Sequence, residues 1–107
     1  MHTTIIAPHN TESAKLASVI AEMQVLGAPT IKAVDCGDYW LALEGSHRIA
    51  AAQQLGLIPT IDAYSYSDTV EHDCEDVRSN LVADLADYLS PGPDSVAYQF
   101  NDGLAEI

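Results

Sequence analysis

The chain has 107 residues, 48% of them apolar, with sixteen Asp and Glu against four Lys and Arg and a formal charge of -12. This composition fits one folded domain that buries about two-thirds of its unfolded surface, and it is too apolar for an acidic disordered chain. The negative field repels nucleic acid and anionic lipid, which are held through many Lys and Arg contacts, and no apolar run is long enough to span a bilayer.

In chain order, the β-branched run Thr3 to Ala7, closed by Pro8, predicts a first strand. Leu16, Val19, Ile20, Met23 and Leu26 recur at helical spacing and predict a helix over Glu12 to Leu26, with Thr11 as its cap and Gly27 just past its end. Thr30 to Cys36 and Tyr39 to Glu44 read as two strands joined by a Gly37-Asp38 hairpin turn. Ser46 to Leu55 is an Ala-rich helix stopped by Gly56, its small residues suited to lying close on a sheet. Pro59 to Ala63 reads as a fourth strand. Asp73 to Leu89 reads as a third helix capped by Asp73, with Val77, Leu81, Leu85, Tyr88 and Leu89 on one face. Pro91-Gly92-Pro93 ends it, and Val96 to Phe100 is a last edge strand or an ordered tail. The expected fold class is α/β (α+β): one domain over 1–107, a small mixed sheet packed with about three helices, core 3–64, and a C-terminal helix and tail 73–107.

The acid is unevenly spread: eight carboxylates lie between Asp62 and Asp87, opposed only by Arg78. That half is suited to a basic partner protein, although acidity of this kind also serves solubility. Cys36 and Cys74 are too few for a disulfide scaffold and read as free thiols. With no visible secretory signal, a cytoplasmic chain is expected. Glu71-His72-Asp73-Cys74-Glu75-Asp76 holds metal-ligand residue types, but no second cluster accompanies it, and it reads as an acidic helix start. His9, after the first strand, reads as a loop histidine near the mouth of any cleft there.

The most informative segment is Leu43-Glu44-Gly45-Ser46-His47-Arg48, where a strand ends and a helix begins. Helix starts present unpaired N–H groups and the positive end of the dipole, a place for an anion. Gly45 lets a ligand approach the backbone, and Ser46 either caps the helix or presents its hydroxyl outward. Arg48 is disfavoured in a first turn, so it asks for a compensating anion, whether a ligand or an acid such as Glu44.

Gly37-Asp38-Tyr39-Trp40, then Glu44-Gly45-Ser46-His47-Arg48-Ile49-Ala50-Ala51-Ala52-Gln53-Gln54-Leu55, then Ile58-Pro59, resembles the core of the ParB/sulfiredoxin superfamily. Sulfiredoxins carry Gly-Cys-His-Arg before an Ala-rich helix and an Ile-Pro strand; ParB-type proteins carry a related segment. Lys15 and Ser18 lie where sulfiredoxins have a Lys and a Ser that contact nucleotide. The resemblance spans roughly Thr3 to Tyr64. It implies that Lys15, Ser18, Gly45, Ser46, His47 and Arg48 bind ATP or ADP, with Mg²⁺. It also implies phosphoryl transfer to a small molecule or a protein if the domain is an enzyme, as in the small-molecule kinases of this superfamily. Glu44, facing the same cleft, would then be the base or hold Mg²⁺, and Ser46 is the other catalytic candidate.

The departures are specific. Ser46 stands where sulfiredoxins have their nucleophilic Cys, and a hydroxyl cannot run sulfinic-acid reduction through a thiosulfinate. Pro8-His9-Asn10 occupies the region where sulfiredoxins carry an Arg. The DNA-reading and dimerisation regions of ParB proteins have no counterpart in this sequence. The alternative reading is a non-catalytic nucleotide-sensing or protein-interaction module that has lost the sulfiredoxin cysteine.

Overall fold

A computed structural model describes residues 3–101 and 103–107. In chain order the elements are β1 (Thr4–Ala7), α1 (Ser13–Leu26), β2 (Thr30–Asp35), β3 (Trp40–Ala42), α2 (Ser46–Leu55), β4 (Thr60–Tyr64), α3 (Val82–Leu89), β5 (Val96–Gln99) and β6 (Ala105–Glu106). They build one six-stranded mixed sheet in the order β5-β1-β3-β2-β4-β6. Strands β1 and β3 are parallel, β2 and β3 form the antiparallel hairpin, and β2, β4 and β6 run parallel. The fold is α+β.

Strand alternation divides the core between the two faces of the sheet. Ile5, Ala7, Ile31, Ala33, Trp40, Ala42 and Ile61 join one cluster with α1 and α2. Ile6, Val34, Leu41 and Leu43 point the other way, to Val82, Leu85 and Ala86 of α3. Each aliphatic side chain buried this way contributes roughly 1.5–3 kcal/mol against solvation of the unfolded chain. Ala50, Ala51 and Ala52 are buried, and their small size lets α2 lie close on the sheet beside α1. The last turn of α1 outruns that layer: Leu26, expected on the apolar face, is 73% exposed.

The two outermost strands follow one another in sequence, with 100–104 between them. Outer strands of a flat six-stranded sheet lie about 24 Å apart, further than this connection reaches at about 3.5 Å per residue. The sheet therefore curls about the first core cluster, in which Phe100 and Leu104 are buried. Of the two readings of Val96 to Phe100, the edge strand holds over Val96–Gln99, antiparallel to β1.

The third helix is the main correction. It begins at Val82, not Asp73, and Asp73 caps nothing. Segment 70–81 is an irregular loop closed by backbone bonds between 66–70 and 80–83. Val70 N–H donates to Asn80 O (2.8 Å), Val82 N–H to Asp68 O (2.8 Å) and Ala83 N–H to Tyr66 O (3.1 Å). His72 ties the loop from inside, Nε2 donating to Ser79 O and Nδ1 accepting from Cys74 N–H. Ser79 and Asn80 favour such local alternatives to a helix, and Asp73 and Asp76 would repel one another a turn apart. The other cap expected from sequence is also absent. Glu12, not Thr11, takes the α1 N-cap position, and its own side chain makes no capping hydrogen bond.

Candidate functional site

The parallel pair β1 and β3 ends at one edge of the sheet, so the loops that follow them meet. One loop leads through His9 into α1, and the other leads through Glu44 and Gly45 into α2. Two helix N-termini therefore converge on a cleft of about 310 Å³ lined by His9, Lys15, Val19, Gly45, Ser46, His47 and Arg48. Neither helix start carries a side-chain cap. Their N–H groups and dipoles contribute partial positive charge at this end of the sheet.

Gly45 takes the α2 N-cap position in the left-handed conformation, φ 86° and ψ 29°. A Cβ there would lie 3.1 Å from both Arg48 Nη2 and Ile31 Cδ1, so glycine is required by conformation and by space. Ser46 follows as the first helical residue. It neither caps the helix nor faces outward: it is 2% exposed, and its Oγ has no hydrogen-bond partner although the residue lines the cleft. A buried hydroxyl left this way carries a penalty of roughly 1–3 kcal/mol, which a ligand oxygen would relieve.

His47 Nε2 accepts the Glu12 N–H at 2.9 Å, joining the two helix starts and fixing its proton on Nδ1. Burial holds its pKa below the usual histidine value, reinforced by the Lys15 ammonium and by His9. The His9 and His47 ring centroids are 6.0 Å apart, and His9 Nδ1 donates to Asn10 O. Lys15, exposed in the first turn of α1, makes no ion pair with another described residue.

Arg48 has its compensating anion within the chain. Nη2 donates to Glu44 Oε2, and Nη1 donates to Thr30 O at 3.1 Å. Glu44 is absent from the cleft lining, its carboxylate being turned to Arg48. A carboxylate engaged by a permanently charged donor is poorly disposed to take a substrate proton. Ser18 is exposed on α1 and is likewise absent from the cleft lining.

The structure thus brings together Lys15, Gly45, Ser46, His47 and Arg48, and leaves Ser18 and Glu44 aside. It adds His9, whose presence follows from the parallel pairing of β1 with β3. The Thr30 carbonyl and the Glu12 amide left no signal in the sequence, because backbone groups act there irrespective of side chain. Among the described residues, no three His, Cys, Asp or Glu side chains come together to hold a metal ion.

A second polar recess lies on the α3 side, around Cys36, Tyr39, Tyr66, Asp84 and Asp87. There the Cys36 thiol meets the Tyr66 hydroxyl at 3.4 Å, and that contact leads the causes that push the Tyr66 pKa up to about 12. Among the described residues, no helix is long and apolar enough to cross a membrane. No protein-family model matches the chain, and no match was found among curated proteins or solved structures.

Proposed function

We propose that the protein is a nucleotide-binding domain of ParB/sulfiredoxin type that seats the phosphates of ATP or ADP at the start of α2. The observation that carries this reading is the buried, unpartnered Ser46 hydroxyl beside the uncapped Gly45 turn, in a cleft where Lys15 makes no ion pair among the described residues. A phosphoryl oxygen would accept from Ser46 Oγ and from the first amides of α2, with Lys15 neutralising charge from α1. The engagement of Glu44 with Arg48 favours the non-catalytic form of the reading, a nucleotide sensor, over phosphoryl transfer to a small molecule or protein.

Calorimetry with ADP and ATP, with and without Mg²⁺, tests the site. Binding should weaken by about tenfold or more in Lys15→Ala, the loss of one charge-assisted contact. Wild-type protein that binds neither nucleotide, or a Lys15→Ala variant with unchanged affinity, removes the basis of the proposal. Incubation with γ-labelled ATP and a metabolite pool separates the two forms: transferred label establishes a phosphotransferase, and binding without transfer establishes a sensor.

A further inference from the structure

We propose that Glu44 sets a charge threshold for the cleft: as the built-in occupant of Arg48, it restricts the site to diphosphate or larger anions and rejects a lone phosphate. The inference rests on the phosphate reading above and names the class of anion. The Arg48 guanidinium is held by two acceptors of the protein itself, Glu44 Oε2 and Thr30 O. It lies across Gly45, where a Cβ would be 3.1 Å from Nη2 and 3.5 Å from Nε, and so covers the backbone of the α2 cap. It also lines an adjoining cavity of about 270 Å³, with Val19, Met23, Leu26 and Pro29.

Both side chains of the pair are 39% exposed, so the bond is exchangeable and of the modest strength usual for solvated ion pairs. An anion recruits Arg48 only by displacing a carboxylate tethered four residues away, which competes at high effective concentration. Orthophosphate at Ser46 and Lys15 leaves Arg48 with Glu44 and is repelled by that carboxylate. A diphosphate fills the same place with one phosphoryl group and presents the second to Arg48, exchanging the carboxylate for a more highly charged acceptor.

Calorimetry of the full chain with sodium orthophosphate and sodium pyrophosphate, at one ionic strength and without Mg²⁺, decides the matter. Wild-type protein should prefer pyrophosphate by about tenfold, the equivalent of one added charge-assisted bond. Glu44→Gln should bind orthophosphate about fivefold tighter and reduce that preference to about threefold or less. Glu22→Gln removes the same charge from the wall of the adjoining cavity without bonding Arg48, and should shift both anions alike by less than about twofold. Glu44→Ala carries the same expectation as Glu44→Gln and replaces it if that variant does not fold. A preference unchanged in Glu44→Gln, or lowered equally in Glu22→Gln, overturns the threshold while leaving the phosphate site standing. Wild-type protein that binds neither anion overturns both.

Discussion

Replacing Gly45 by Ala tests the geometry of the α2 start, and Gly56 supplies an internal control at the other end of the same helix. Both residues are left-handed, at φ 86° and ψ 29° for Gly45 and φ 70° and ψ 21° for Gly56. An alanine in that region costs about 1–2 kcal/mol at either site. The surroundings differ: a Cβ at Gly56 meets nothing within 4 Å, whereas at Gly45 it meets Ile31 Cδ1 and Arg48 Nη2 at 3.1 Å. Carbon contacts are optimal at about 3.5–4.0 Å, and overfilling a packed site costs about 1–3 kcal/mol. Arg48 can swing aside, but Ile31 is fully buried and cannot. Gly45→Ala should therefore destabilise by about 3 kcal/mol and Gly56→Ala by about 1.5 kcal/mol, lowering Tm by about 15 °C and 8 °C respectively. Urea unfolding followed by fluorescence of the single, buried Trp40 measures both. Equal losses at the two sites, within about 0.5 kcal/mol, would refute the close approach at the cap.

Ser46→Ala removes a buried hydroxyl that has no partner, so stability should hold or rise by up to about 1 kcal/mol while ADP affinity falls about fivefold. A loss of stability above about 1.5 kcal/mol would show that the hydroxyl is satisfied within the fold and would remove the argument for a ligand oxygen there. The pH dependence follows from His47. Its folded pKa lies below the ordinary value of 6.5, so between the two values the unfolded chain binds more protons. The contribution of the neutral ring is present above pH 6.5 and is lost as pH falls through that value toward the folded pKa. His47→Gln keeps an acceptor for the Glu12 N–H, and its urea midpoint should change less between pH 7.5 and pH 5.5 than that of the wild type. Equal slopes in the two proteins would assign the pH dependence to other groups.

The curled sheet explains why the cleft exists at all. Phe100 and Leu104, buried with α2, hold the ends of a sheet whose β1 and β3 deliver two loops to one place. Without that pairing, Lys15 and His9 on the first loop and helix would not share a cavity with Ser46 and His47.

Local chemistry determined a large share of this protein in advance. Helical spacing and glycine stops located α1 and α2, the Gly37-Asp38 turn located the β2–β3 hairpin, and the segment 44–48 marked the helix start that the cleft surrounds. These signals work because propensity, turn conformation and capping act within a few residues. Competition at longer range decided the rest. Segment 73–81 has a helical apolar pattern, yet it stays irregular and the backbone of 80–83 bonds to 66–70, because Ser79, Asn80 and His72 offer local alternatives and like charges oppose a helix. Only the tertiary structure decided where Ser46 and Arg48 point. One hydroxyl lost solvent without gaining a partner, and one guanidinium met the Thr30 carbonyl from a strand eighteen residues away while turning to Glu44. Residue type shows what a side chain can bond, and packing decides which bonds remain within reach.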